Sequence, residues 1–514
     1  MNLLESKFIN LPASFVSMTM ASGVRAAGER CANKIALVHN EKRITFGELL
    51  DRIDRVTNAA LIDLGLKPGL NVAIVSFNCI EYIELVCGLP EAGLAVATIN
   101  ANLSSPEIEV VCNDAQVHVI FTDVASEAKV RAAYLPMVKT IIVIGAQYER
   151  WLSVDYTSIT RPKINECDIW CIPYTSGTTG QPKGVMLSHR SRSLVAYGAA
   201  AEFGCFSSDD NFLAVTPMWH GGGLGFPMAA LLMGGSVEIM NKFDAQTVLH
   251  KFMYGGITGV FMVPTHFHLI FSLDEKILNQ YRNPSLKTII SNAAPLSQAM
   301  KEKIIPYFGT GKLFEIYSST EAGLVCSLRP NDQLKKLSCV GLPHAFTQVK
   351  ILNISGVECA PEEVGELFSR SPSLFNGYWN RPTDTAEAFR DGWVSVGDLA
   401  KFDSEGYIYI VDRKKDMVIS GGVNIYPREI EEVLLTHTSV HDVAVIGIPD
   451  EKWGESLCAF VVLKDNQSCS LEEIFIHCSG KIADFKIPRK VKYIDMLPRN
   501  ANGKVLKTKL RVTI

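Results

Sequence analysis

The sequence predicts an α/β protein. A large N-terminal domain of parallel and mixed β-sheets layered with helices is expected, followed by a small C-terminal α+β domain. Three observations carry that expectation. Short apolar runs alternate with amphipathic stretches through the first half of the chain. A charged knot, Asp412-Arg413-Lys414-Lys415, breaks the pattern late in the sequence. Beyond it, about 100 residues restart the alternation by themselves, which suffices for a separate domain.

The elements follow in order. Phe46, Leu49, Leu50, Ile53, Val56 and Ala60 share one face of a helix over 46–66. A buried strand over 71–75, a helix over 81–92 and strands over 95–99, 116–122, 140–144 and 169–173 come next. Strand and helix in turn imply parallel sheets covered on both faces. The stretch 211–237 has no charged residue, but it holds Pro217, His220, Pro227 and six glycines. It reads as buried strand and loop, since such a composition makes a poor spanning helix. Late in the chain come a strand over 407–411, a helix over 427–435, strands over 442–448 and 457–463, a helix over 471–482 and a strand over 491–494. The boundary therefore falls at 412–415 and divides 1–412 from 413–514.

Composition narrows the function. The chain is 47% apolar and carries a formal charge of −4, which suits a globular protein and gives no electrostatic case for nucleic acid or an anionic membrane. Its 13 cysteines are scattered singly, and the pair Cys167 and Cys171 lacks a second pair at metal-ligand spacing. That usage fits a reducing compartment. With no signal-peptide pattern at the start and no lipidation or peroxisomal signal in the final Arg-Val-Thr-Ile, a cytoplasmic location without a transmembrane span is expected. Oligomeric state is not readable, and a homodimer stays open.

The first chemistry-bearing string runs from Tyr174 to His189 and contains Thr175, Ser176, Gly177, Thr178, Thr179, Gly180 and Lys183. Glycines let backbone N–H groups approach an anion, hydroxyls add donors, and the lysine adds a point charge. The spacing is not the Walker pattern, because Gln181 and Pro182 separate Gly180 from Lys183 and Gly184 follows the lysine. Gly309-Thr310-Gly311-Lys312 is followed by Leu313, lacks the metal-binding hydroxyl, and reads as a loop.

Together with distant segments, this string resembles the adenylate-forming acyl-CoA ligase family from about Ala36 to Lys507. The resemblance implies that Thr175 to Gly180 and Lys183 hold the β- and γ-phosphates of ATP. In Tyr317-Ser318-Ser319-Thr320-Glu321 it implies Tyr317 stacked on adenine, Ser318 and Thr320 at the nucleotide, and Glu321 holding magnesium with Thr175. Asn292, Ala293, Ala294 and Pro295 match the adenine-side loop. Asp398 matches the acid that accepts both ribose hydroxyls, a role that suits a carboxylate. Arg413 is expected to reach the nucleotide and Lys415 to be the hinge pivot. Lys504, in Leu-Pro-Arg-Asn-Ala-Asn-Gly-Lys, matches the catalytic, ATP-contacting lysine. His220 and Gly221 border the acid pocket, with Asn292 and Ile316, and His220 is a catalytic candidate. Gly421 and Gly422 are expected on the path of coenzyme A.

The implied reaction converts a carboxylic acid and ATP to acyl-AMP and pyrophosphate, then transfers the acyl group to coenzyme A. Lys504 serves the first step, and rotation of the small domain removes it for the second. Asn292, Ile316 and Ser318 stand where many relatives have glycine. Larger groups there favour a small or medium-sized acid. Ile419 and Gly421 replace lysines of some relatives, which argues against a luciferase-like oxidation. The main alternative is an adenylation enzyme that loads an acid onto a carrier protein. Residues 217–220 hold no aspartate for an amino-acid ammonium, and a separate carrier protein stays open. His437 and His441 lack further ligands and read as surface residues.

Overall fold

The computed structural model describes residues 16–153, 160–176, 182–499 and 505–512. The chain gathers into two compact units. The first comprises Met1–Leu324, Arg329–Leu334 and Ser371–Thr385, and the second Val325–Leu328, Lys335–Arg370 and Ala386–Ile514.

In the first unit, one sheet runs in the order Leu187–Ser188, Ile169–Cys171, Ala95–Ile99, Asn71–Val75, Val117–Thr122, Thr140–Val143. Every residue of Asn71–Val75 and Ala95–Ile99 is buried. Their continuous apolar character follows from helices covering both faces of a parallel sheet. A second sheet places Leu313–Ser319, Thr288–Ser291, Gly259–Met262, Asn211–Ala214, Ser236–Ile239 and Ile35–His39 side by side, all parallel, with Lys42–Thr45 turning back antiparallel. The strand ends of this sheet carry the motifs around residues 217, 292 and 317. The helix Phe46–Ile62 starts at a capping box between Thr45 and Glu48, and Phe46, Leu49, Ile53, Val56 and Ala60 are buried on one face. It stops at Ile62 rather than at 66, ahead of Gly65 at a φ of +59°.

The expectation of strand and loop over 211–237 is corrected. Asn211–Ala214 and Ser236–Ile239 are strands, but Gly221–Met233 is a 13-residue α-helix with Pro227 inside it. Glycine and proline content argued against a helix, yet close packing demands the glycines. A Cβ on Gly223 would lie 2.0 Å from the carbonyl oxygen of Pro217, and one on Gly222 would lie 2.6 Å from the ring of Phe261. A helix buried nearly all round has no amphipathic period to read. Among the described residues, no helix is long and apolar enough to cross a membrane.

The second unit holds two antiparallel assemblies. In one, Gln348–Leu352 and Asp398–Phe402 flank Gly365–Arg370, and Ile408–Arg413 follows. In the other, Val440–Asp450 and Gly454–Leu463 form a long hairpin, joined by Val418–Ser420 and Val423–Ile425, with Lys490–Tyr493 parallel to Gly454–Leu463. The helix expected over 471–482 ends at Cys478, because Ser479 turns extended and Gly480 takes a φ of +75°. His437 lies just beyond the helix Pro427–Leu434, and His441 is exposed on the following strand.

Candidate active site

The glycine- and threonine-rich string begins and ends in a small antiparallel hairpin. Tyr174–Ser176 pairs with Pro182–Gly184, and Thr175 stands opposite Lys183. Gly177, Thr178, Thr179 and Gly180 lie outside the described residues, as does Lys504. The base of the hairpin is fastened to Asp114. The Tyr174 hydroxyl donates to Asp114 Oδ2 at 2.7 Å, Arg381 Nη2 donates to Asp114 Oδ1 at 3.2 Å, and Trp379 Nε1 donates to the Asp114 carbonyl at 3.1 Å. Gly184 has to be glycine, since a Cβ would lie 2.9 Å from Tyr174 Cζ and 2.8 Å from Ile172 Cγ2.

A segment from a distant part of the sequence crosses this hairpin. Asn376 N donates to the Met186 carbonyl, Met186 N to the Gly377 carbonyl and Trp379 N to the Gly184 carbonyl, at 2.8, 2.9 and 2.8 Å. The same segment reaches Glu321. The Tyr378 hydroxyl donates to Glu321 Oε1 at 2.8 Å, and Phe375 N donates to the Glu321 carbonyl at 2.8 Å. Burial first, then the neighbouring Glu321 charge, push the Tyr378 phenol well above its ordinary range, so it stays a donor. Lys183 Nζ lies 5.2 Å from the centre of the Tyr378 ring and 2.6 Å from Asp384 Oδ1. Arg192 Nη2 donates to the Ser373 carbonyl at 2.6 Å. Burial lowers the Arg192 guanidinium to about 10, against the opposing pull of Glu321.

Thr175, Lys183 and Glu321 are thus linked through residues that no motif named. Tyr378, Asp384 and Arg192 were missed. The available signal was an aromatic pair followed by charges, Tyr378-Trp379-Asn380-Arg381-Pro382-Thr383-Asp384, outside any helical or strand period.

Glu321 follows the strand Leu313–Ser319, along which Ile316 is buried and Tyr317 and Ser318 are half-buried; Thr320 is half-buried in the turn just after the strand. Asn292 follows the neighbouring strand Thr288–Ser291. Two positions noted as departures meet here, for Asn292 Nδ2 donates to Ser318 Oγ at 2.5 Å. Ala293 takes a left-handed φ of +78°, and Ala293, Ala294 and Pro295 are exposed. His220 precedes the helix Gly221–Met233. Its Nε2 accepts from Trp219 Nε1 at 3.1 Å, which leaves the proton of the neutral ring on Nδ1. Burial lowers its pKa to about 4, so it is neutral at pH 7. Gly221 faces open space.

In the second unit, Asp398 and Arg413 stand opposite each other on paired strands, with Arg413 Nε 3.2 Å from Asp398 Oδ1. Lys415 is exposed, and its carbonyl accepts from Arg511 Nη2 at 3.5 Å. The neighbouring Asp412 accepts from Arg413 N at 2.7 Å and from Arg428 N at 3.0 Å. Gly421 and Gly422 form the two-residue turn between Val418–Ser420 and Val423–Ile425, at φ +59° and +80°. Gly421 N donates to the Trp453 carbonyl at 2.8 Å. The Trp453 ring lies 4.9 Å from the Arg489 guanidinium and 4.9 Å from Lys452 Nζ.

Among the described residues, no three His, Cys, Asp or Glu side chains gather as a metal site. A single carboxylate such as that of Glu321 is a donor that a magnesium ion carried mainly by phosphate oxygens and waters would accept.

The AMP-binding enzyme family matches residues 24–379, and the AMP-binding enzyme C-terminal domain matches residues 429–504. A 2-succinylbenzoate–CoA ligase of Bacillus cereus is 33% identical over 484 residues, covering 93% of this chain and 95% of that protein. The o-succinylbenzoate CoA synthetase of Bacillus subtilis, solved with the acyl-adenylate intermediate, superposes with a TM-score of 0.86 at 28% identity, covering 95% of this chain and 97% of the other. The same enzyme solved with ATP and magnesium gives a TM-score of 0.85 at 27% identity, covering 95% and 98%. The chain belongs to the AMP-binding enzyme family, as an adenylate-forming acyl-CoA ligase that uses ATP, magnesium and coenzyme A.

Proposed function

We propose that the chain activates a medium-sized carboxylic acid, with 2-succinylbenzoate the first to test, and that the residues gathered around Lys183 and Glu321 manage the triphosphate. The observation that carries this reading is the meeting of a hydroxyl-bearing hairpin, an ammonium and a carboxylate through Tyr378. A carboxylate oxygen of the acid bonds to the α-phosphorus, the bond to the bridging oxygen breaks, and pyrophosphate leaves. The sulfur of coenzyme A then bonds to the acyl carbon, its proton goes to solvent, and AMP leaves. Thr175, Ser176 and the residues through Gly180 would cradle the phosphate tail with Lys183, and Glu321 and Thr175 would hold magnesium. When bound, that ion neutralises part of the triphosphate charge.

Tyr317 and the loop of Asn292 to Pro295 are assigned to the base, Asp398 to the ribose and Arg413 to the nucleotide. Neutral His220 carries an Nδ1–H donor, which is assigned to an oxygen of the acid. Ile316 and the bonded pair Asn292–Ser318 narrow the acid pocket and offer a polar contact, which supports an acid with a second polar group over a long fatty acid. The Gly421–Gly422 turn beside Trp453, with Arg489 and Lys452 on that ring, is assigned to coenzyme A. Lys504 is assigned to the first step, with Lys415 the pivot and 413–514 the moving part.

Pyrophosphate release over a panel of acids, with and without coenzyme A, tests the reading. Release with acid alone and acyl-CoA only after the thiol is added are expected. Silence with every acid defeats the proposal, and best turnover with palmitate defeats the pocket assignment. Lys504→Ala is expected to abolish acyl-AMP formation while sparing acyl transfer from supplied acyl-AMP.

A further inference from the structure

We propose that Asp384 is a resident counter-ion for Lys183, competing with the triphosphate for the same ammonium and so setting how tightly the enzyme holds ATP and pyrophosphate. This rests on the reading of Lys183 as a phosphate ligand.

Lys183 Nζ and Asp384 Oδ1 are 2.6 Å apart, and the two side chains are 12% and 26% exposed. The pair is largely removed from water, where an ionic contact is stronger than at the surface. The two partners are not equally free to move. Asp384 sits in the first turn of the helix Pro382–Ala388. On one side of it, Thr385 Oγ1 accepts from Tyr378 N at 2.9 Å and donates to the Arg381 carbonyl at 2.8 Å. On the other side, Arg381 and Trp379 are tied to Asp114, and Tyr378 is tied to Glu321. The acid is therefore part of a fastened segment. Lys183 is a long, rotatable chain with three donors, so it is the partner able to turn toward a new anion.

The sequence distance matters too. Asp384 lies 201 positions from Lys183 and belongs to no phosphate-binding pattern. An acid beside a phosphate-binding lysine opposes a polyanion in two ways. The ammonium must be shared or surrendered, and the carboxylate then faces phosphate charge across a poorly hydrated gap. Both effects weaken ATP and speed departure of pyrophosphate. Neither touches AMP, which lacks the β- and γ-phosphates.

Equilibrium binding of magnesium-ATP, magnesium-pyrophosphate and AMP to the full chain tests this, comparing the parent protein with Asp384→Asn, Asp384→Glu and Lys183→Ala. Asp384→Asn is expected to tighten ATP and pyrophosphate about tenfold and leave AMP unchanged. Asp384→Glu, which keeps the charge, should stay near the parent. In turnover, Asp384→Asn should lower the KM for ATP and lower kcat as pyrophosphate leaves more slowly. If Asp384→Asn leaves ATP and pyrophosphate unchanged or weaker, or shifts AMP equally, the counter-ion role is overturned. Should Asp384→Asn be insoluble, Asp384→Ser is read by the same ATP-to-AMP ratio. Lys183→Ala separates the two levels of the argument. If it leaves the ATP-to-AMP ratio unchanged, the phosphate reading of Lys183 has failed. If it weakens ATP while Asp384→Asn does not tighten it, only the counter-ion has failed.

Discussion

Two glycine-bearing hairpins of this protein look alike in sequence and differ in what they require. In the first, Tyr174–Ser176 and Pro182–Gly184 flank five connecting residues, 177–181, and the strands are secured by contacts from far along the chain. In the second, Val418–Ser420 and Val423–Ile425 are joined by Gly421 and Gly422 alone. The glycines of the second have a sufficient local cause. Both take positive φ, the conformation of a two-residue turn whose twist matches its strands. A Cβ on Gly421 would also lie 2.8 Å from the Trp453 ring. In the first hairpin Gly184 has a packing cause as well, but its polar residues do not. Thr175 and Lys183 face each other, and Lys183 is met by Asp384 and the Tyr378 ring rather than by a neighbour in sequence. A glycine-rich string is therefore weak evidence of function until the backbone requirement has been subtracted.

The comparison can be broken most forcefully at Lys183. Lys183→Ala should lower the rate of pyrophosphate release about a hundred- to thousandfold, as loss of a pre-positioned charge typically does, with a small shift in thermal unfolding beside it. An activity loss matched by an equal loss of fold would make the first hairpin as structural as the second. Tyr378→Phe should cost about tenfold and raise the magnesium concentration needed for half-maximal rate, because one hydrogen bond to Glu321 is lost. Magnesium dependence identical to the parent would detach Tyr378 from the site. At the second hairpin, Gly421→Ala should destabilise the protein by about 1–2 kcal/mol from backbone strain, plus the contact with Trp453, as read by denaturant unfolding. Gly422→Ala, with open space around its Cβ, should show the backbone cost alone and so the smallest effect of the four. A larger loss of acyl transfer than of stability in either glycine variant would show that the turn serves coenzyme A as well as the fold.

The strands Asn71–Val75 and Ala95–Ile99 were legible because unbroken apolar runs of that length have few other fates in an alternating chain. The helix Gly221–Met233 was not, since burial on nearly all sides erases the period and its glycines answer to Pro217 and Phe261. The motif residues Glu321, Asp398 and Arg413 were named from their strings, but no strand was expected at Asp398 and the one expected over 407–411 stopped short of Arg413, so their pairing came only with the fold. Asn292 and Ser318 were singled out separately, but nothing in either string announced that one donates to the other.

By itself, the sequence determined the α/β class, several of the strands and helices over 46–173 and 407–494, and the chemical inventory of hydroxyls, lysine and carboxylates. These depend on local periodicity and on which residue types occur together, and both survive in one dimension. Tertiary structure alone decided that Tyr378 serves Glu321, that Asp384 holds Lys183 and that His220 is neutral. Those outcomes depend on desolvation and on partners far apart in the chain, and burial and pairing acquire values only when the chain has closed on itself.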